Sequence, residues 1–250
     1  MHFVDTAKYF STDIESYLKR KENAYLKQLN EFISGNRKKE PEPKGWANSI
    51  VQKPLSECFK ENCGYCGVRV LFNSEENEGD IDHFNPKSLV QSDIFKWSNY
   101  VWSCKTCNQQ KKKDYFDTIF MIFDPTKRSD CALLDYNEGR YYVKTILDKL
   151  ELKKQKHRLH ITGIHTRINS QTNISDRKSL YISLKLRIES LIRHKKRYDI
   201  KITNKYDEEK NEFKEFCRNS SYKFLISEIF FIKLKNINGA NILDNDVFQF

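Results

Sequence analysis

Two Cys-x-x-Cys pairs, Cys63-Gly64-Tyr65-Cys66 and Cys104-Lys105-Thr106-Cys107, stand 37 residues apart in the chain. Two intervening residues let both sulfurs of a pair turn toward one ion, and four thiolates suit tetrahedral Zn²⁺ with Zn–S near ~2.3 Å. The gap exceeds the ~15–20 residues of a simple zinc ribbon, so an insert must lie between the pairs. Four sulfur ligands leave no open position for water, which makes the expected zinc structural. Ordinary buried cysteines would leave the paired spacing unexplained, and a thioredoxin-like redox site would need one pair alone. The chain has seven cysteines, an odd number that argues against a secreted disulfide framework. Cys58, Cys131 and Cys217 are expected to be small buried residues.

Charge narrows the classes further. Among 250 residues, 44 Lys and Arg against 34 Asp and Glu give a net charge of +10, the footprint of a polyanion-binding protein. Seventeen Phe, 13 Tyr and 3 Trp supply core area and exclude full disorder. No apolar run approaches the ~18–20 residues of a membrane span, and the N-terminal MHFVDTAKYF lacks a signal-peptide core. A soluble, cytoplasmic protein with no membrane partner is therefore expected. With only 8 Gly and 5 Pro, regular structure should dominate, mostly helix.

Three segments are expected: a helical arm and linker over 1–45, a zinc-supported core over 46–128, and a hairpin with helices over 129–250. Periodicity predicts a helix over Ser11 to Ser34, with Ile14, Tyr17, Leu18, Tyr25, Leu29 and Phe32 on one face, Ser11 among its candidate caps and Gly35 at its end. Arg37 to Gly45 has linker composition. A short helix is expected between Trp46 and Asn62, broken before Pro54. Val68 to Phe72 and Ile81 to Phe84 have strand character, and 73–80 reads as a turn-rich loop. A helical turn should run through Phe95 and Trp97, and a helix should carry Asn108 to Lys113. Ala132 to Tyr136 and Arg140 to Lys144 form a hairpin signal around Asn137-Glu138-Gly139. Further helices are expected over Thr145 to His160, Ser175 to Arg197 and Glu208 to Lys235.

The insert carries Asp82-His83 and Asn99, and Asn108 directly follows Cys107. Together, C-G-Y-C at 63–66, D-H-F-N-P-K-S at 82–88, N-Y-V-W-S-C-K-T-C-N at 99–108 and Lys111-Lys112 resemble the HNH endonucleases of the ββα-metal fold. The fold class this implies is α+β, predominantly helical, with a ββα-metal core and a Cys₄ structural zinc flanked by helices. The resemblance implies that His83 is the general base activating a water against the scissile phosphate. It implies that Asp82 and Asn108 ligate a catalytic Mg²⁺ or similar divalent ion, and that Asn99 orients His83. The final position holds Asn108 in place of histidine, which bears on the identity of the metal.

These residue types suit phosphodiester hydrolysis. A neutral imidazole, with an ordinary pKa of about 6.5, accepts a proton at physiological pH. Carboxylate and amide oxygens suit a hard divalent ion that keeps positions open for phosphate and water. Products with 5′-phosphate and 3′-hydroxyl are expected. Lys111 and Lys112, three and four residues beyond Asn108, are candidate phosphate contacts. The alternative is a non-catalytic, zinc-stabilised nucleic-acid-binding or interaction protein.

Outside the motif, Lys19-Arg20-Lys21, Arg37-Lys38-Lys39, Lys153-Lys154 and Arg193 to Arg197 fit phosphate contacts or solvated helix faces equally. Nucleic acid is the expected substrate, DNA ahead of RNA, although these clusters assign neither. His157, His160, His165 and His194 are expected at the surface or in packing. The layout also resembles the HNH components of Septu antiphage systems, the PtuB family, which occur with some retrons. That resemblance implies an ABC/SMC-like ATPase partner of the PtuA kind. The chain has no G-x-x-x-x-G-K-[S/T] loop, so any ATP dependence would come from another subunit. Phe248 and Phe250 are a candidate docking element in an otherwise tail-like segment.

Overall fold

A computed structural model describes residues 1–73, 79–111, 121–196, 203–223, 226, 230–237, 240, 243 and 247. Helix α1, Thr12–Ile33, begins where expected: the Ser11 hydroxyl accepts the Ile14 N–H, and Asp13 and Glu15 complement the first turn. Its buried face carries Ile14, Tyr17, Leu18 and Tyr25. Helix α2, Ser49–Cys58, runs through Pro54 instead of breaking before it. Proline removes one amide donor, but the carbonyl it orphans belongs to Ile50, at the exposed end of the helix. Val51 and Leu55, fully buried, hold the helix in place on either side.

Strands β1, Gly79–His83, and β2, Tyr100–Cys104, pair antiparallel, with Asp82 opposite Val101 and His83 opposite Tyr100. The Gly79 position has no room for a side chain, since a Cβ there would lie 2.2 Å from the Trp102 ring. Cys104 ends β2 and caps the next helix, α3, Lys105–Gln110, its sulfur accepting the Cys107 N–H at 3.4 Å. Helix α3 packs against both strands. Between β1 and β2 the chain makes two 3₁₀ turns, Gln91–Asp93 and Trp97–Asn99. Val68 to Phe72 forms no ladder of its own. The segment folds back as a knuckle: a bridge joins Asn62 to Arg69, the Cys63 N–H bonds the Val68 carbonyl, and the Leu71 carbonyl accepts the Gly79 N–H.

Beyond the core come α4, Arg128–Ala132, and a hairpin of β3, Leu134–Asn137, and β4, Arg140–Val143. Glu138 and Gly139 turn the hairpin with φ of 46° and 84°, the left-handed pair that a tight two-residue turn needs. Helices α5, Lys149–His165, and α6, Gln171–Lys196, follow. The single helix expected over Glu208 to Lys235 is instead α7, Thr203–Asn219, and a short α8, Phe231–Lys235. A tertiary contact supplies the break. Tyr222 takes φ 63°, its N–H bonds the Gly67 carbonyl at 2.7 Å, and its ring lies where a Gly67 Cβ would be.

One hydrophobic cluster runs from Met1 and Val4 through Tyr65, Trp102 and Phe123 to Phe213, Phe230 and Val247. A smaller one joins Tyr25 of α1 to Ile94 and Phe95. No described helix is long and apolar enough to cross a membrane.

Candidate metal centre and adjoining cleft

The four sulfurs of Cys63, Cys66, Cys104 and Cys107 are buried and lie within 4.8 Å of one another. Tetrahedral Zn–S bonds of ~2.3 Å put sulfurs about 3.8 Å apart, and Cys66 and Cys104 stand at 3.9 Å. The donor set therefore fits one zinc-like ion. The thiols themselves point the same way. Hydrogen bonding from Cys107 and Cys63 holds Cys104 below the usual thiol value, whereas bonding to Cys104 pushes Cys107 far up. Sulfurs this close need a cation before all four can ionise. The Arg167 N–H points at the Cys107 sulfur at 3.3 Å, so the segment between α5 and α6 closes over the cluster.

The knuckles fasten the start of α3 beside β1, and a cleft of about 390 Å³ opens there. Asp80, Asp82, His83, Asn108 and Lys111 all line it. Alternation along β1 sets Asp80 and Asp82 on one strand face. Asp82 is buried, and its Oδ2 accepts the Tyr65 hydroxyl at 2.5 Å and pairs with the Lys111 ammonium. Burial raises the Asp82 carboxyl above its ordinary value, against the pull of Lys111. Burial likewise lowers the Lys111 ammonium. Lys111 also donates to the His83 carbonyl, so its charge faces into the cleft floor. Lys112 lies outside the described residues, as do Phe248 and Phe250.

His83 Nε2 lies 2.9 Å from the Ile94 carbonyl, which also accepts the Tyr100 hydroxyl at 2.8 Å. A carbonyl only accepts, so Nε2 carries the proton and Nδ1 is the basic nitrogen. Burial pushes the imidazole down to about 4, leaving it neutral at physiological pH. The Asn99 side chain does not run to the imidazole. Its Oδ1 accepts the Asn85 N–H at 2.7 Å, and its Nδ2 donates to the Asp93 carbonyl at 2.9 Å and the Asn85 carbonyl at 3.2 Å. Asn99 thus pins the 85–93 segment whose next residue, Ile94, holds His83.

Asn108 donates to Asp80 Oδ2 at 2.7 Å, which fixes the amide plane and with it the position of its Oδ1, an oxygen that could ligate a cation. Asp80, Tyr65 and Trp46 are site residues that the motif spacing does not single out. The D-I-D alternation around Ile81 is the signal that could have found Asp80. Two carboxylates and an amide around one cleft fit a hard divalent cation by donor chemistry, with Lys111 as the competing cation at Asp82.

Residues 63–115, which hold the cysteine frame and Asp80, Asp82, His83, Asn108 and Lys111 of the cleft, match the family described as HNH endonuclease. Over this stretch the chain is similar to HNH nuclease domains. Over 84 residues the chain is 29% identical to the Septu protein PtuB of Bacillus mycoides (strain KBAB4), spanning 28% of each chain. Over 66 residues it is 30% identical to the Septu protein PtuB of Bacillus thuringiensis, spanning 26% of this chain and 25% of that one. The chain spans about a quarter of the length of the curated relatives it matches.

Proposed function

We propose that this chain is a metal-dependent HNH endonuclease that hydrolyses phosphodiester bonds of nucleic acid. The observation that carries this reading is the meeting of Asp82, His83 and Asn108 on one cleft beside a four-cysteine frame. Strands β1 and β2 with helix α3 are the ββα unit of such a nuclease, and the cysteine frame holds a structural Zn²⁺.

His83 Nδ1 takes the proton from an attacking water, while the Ile94 carbonyl keeps the ring in the required tautomer. Asn99 positions His83 through the 85–93 segment. Asp82 and Asn108 would hold a Mg²⁺ or similar ion, with Asp80 fixing the Asn108 amide. Such an ion, when bound, stabilises charge developing on the phosphate and the departing oxygen. Lys111 balances Asp82 and can pass to a phosphate oxygen as substrate arrives. Lys112 is kept as a phosphate contact by the motif alone. The net charge of +10 supports a polyanionic substrate, DNA ahead of RNA.

We further infer that the chain is the nuclease subunit of an antiphage assembly with an ABC/SMC-like ATPase of the PtuA kind. The likeness to two proteins named Septu protein PtuB supports this. The test is cleavage of single- and double-stranded DNA and RNA with Mg²⁺ or Mn²⁺, and co-purification with an ATPase from the same operon. Activity should fall at least about a hundredfold in His83→Ala, with zinc content retained. Binding without any cleavage would favour the non-catalytic alternative.

A further inference from the structure

Trp46 stands outside the matched stretch, yet its indole forms one wall of the cleft. It meets the His83 ring edge-on at 4.8 Å and Phe95 at 6.2 Å. Lys87, also on the cleft wall, places its ammonium 4.3 Å from the indole centroid. Burial against this wall lowers the Lys87 ammonium from its ordinary value.

The N-terminal arm holds Trp46 there. The Tyr17 hydroxyl of α1 donates to the Gly45 carbonyl at 2.8 Å. Gly45 takes φ 114°, and the Lys21 side chain passes 2.8 Å from where its Cβ would be. A residue other than glycine would be strained at this φ and would have to displace the Lys21 side chain that lies over the turn. Tyr25 of α1 joins Ile94 and Phe95 in a separate small cluster against which Trp46 packs. One patch of α1 thus secures both the carbonyl that holds His83 and the indole beside it. Trp97 and Trp102 are buried, whereas Trp46 keeps part of its surface open to the cleft.

A partly open indole with an ammonium at its face, next to a base, two carboxylates and an amide, is chemistry suited to a nucleotide. Aromatic faces bind bases by stacking with little regard to sequence, and a neighbouring ammonium takes the phosphate. A paired base in a duplex has both faces covered by its neighbours, so only an unpaired one can use the indole. We propose that Trp46 and Lys87 form a nucleotide subsite that receives an unpaired base beside the scissile phosphate. The cleft therefore selects single-stranded or locally opened nucleic acid. This subsite rests on the nuclease reading for its role in cleavage, but its binding can be measured without any turnover.

The experiment uses the full chain carrying His83→Ala and titrates in a single-stranded oligodeoxynucleotide, its perfect duplex, and the single strand with scattered abasic sites. Because the other two tryptophans are buried, quenching of tryptophan fluorescence by a stacked base reports mainly on Trp46. Expected is saturable quenching by the single strand, weak quenching by duplex or abasic strand, and loss of the signal in Trp46→Phe. In otherwise wild-type protein, Trp46→Ala should raise KM for single strands about tenfold or more, with kcat changed far less. Trp46→Phe should recover most of the KM, and Lys87→Gln should raise KM without altering the quench amplitude at saturation. Equal binding of duplex and single strand, or quenching unaffected by abasic sites, overturns the subsite. So does a Trp46→Ala effect confined to kcat, which would make Trp46 only a prop for His83. Should Trp46→Ala fail to fold, the abasic comparison on intact Trp46 still decides. Absence of cleavage in the wild type with quenching intact would instead count against the nuclease reading and leave the subsite standing.

Discussion

The Arg177 guanidinium of α6 donates to the Cys66 carbonyl at 2.9 Å, from a position wholly shut off from solvent. Its other bond goes to the Gly139 carbonyl at 3.0 Å, and the rings of Tyr141 and Tyr222 lie 5.0 and 5.2 Å away. No carboxylate among the described residues pairs with it. A buried cation without a carboxylate is costly, and a divalent ion bound by all four thiolates would bring two net negative charges to offset it. Arg177 therefore ties the helices beyond the hairpin to the charge of the cysteine frame. Arg177→Gln should lower stability by about 3 kcal/mol and speed zinc loss to a chelator. Urea denaturation and a colorimetric zinc-release assay read the two effects.

Zinc removal should be felt beyond the frame itself. Cys104 ends β2 and caps α3, so its release frees the helix that carries Asn108. Metal analysis should find about one zinc per chain. Cys104→Ser or exhaustive chelation should lower the melting temperature and expose amides of β2 and α3 to hydrogen exchange. Protection unchanged in the zinc-free chain would separate the frame from the cleft.

The Lys111–Asp82 pair is buried on both sides, with side chains 4% and 7% exposed. Removing one partner strands the other, so Lys111→Met should cost about 3 kcal/mol or more of stability. The double variant Lys111→Met/Asp82→Asn should recover most of that loss, because neither remaining group carries charge. Denaturation midpoints of the four proteins in this cycle give the coupling directly.

The neutral imidazole of His83 gives a pH signature. Its folded value sits at about 4 against an ordinary 6.5, because burial disfavours the charged ring. Between those values the unfolded chain binds a proton that the folded chain refuses. This contribution to stability is whole above pH 6.5 and is lost progressively as pH falls toward about 4. The drop in urea midpoint from pH 7 to pH 5 should be larger in wild type than in His83→Gln. As a base the ring stays competent over the same range, so the acid limb of cleavage should lie well below pH 6.5.

The parts of this structure legible in the sequence are those set by short-range rules. Spacing alone brings two sulfurs of each knuckle together, and Ser11, Gly35 and the Glu138-Gly139 turn mark element ends by local backbone chemistry. Asp82, His83 and Asn108 could be named because two of them are adjacent and the third follows a cysteine of the four-sulfur frame. What escaped depends on contacts distant in the chain. Tyr222 breaks a helix because Gly67 sits beneath it, and Pro54 stays within α2 because Val51 and Leu55 are anchored. Arg177 looks like one more surface charge on α6 until the knuckle and two tyrosines close around it. Asn99 was expected to orient His83, and its bonds run to Asn85 and Asp93. Trp46 directly follows the segment of linker composition and was expected to open a short helix; its place at the cleft depends on the contacts that α1 makes with Gly45 and Phe95.

The most direct measurement pairs wild-type chain with His83→Ala, both with zinc content and melting temperature verified, in a cleavage assay with added Mg²⁺ or Mn²⁺. Divalent-dependent strand scission by the wild type, leaving 5′-phosphate ends and collapsing in His83→Ala, is the predicted result. Cleavage that persists at the wild-type rate in a folded, zinc-replete His83→Ala protein would contradict the account.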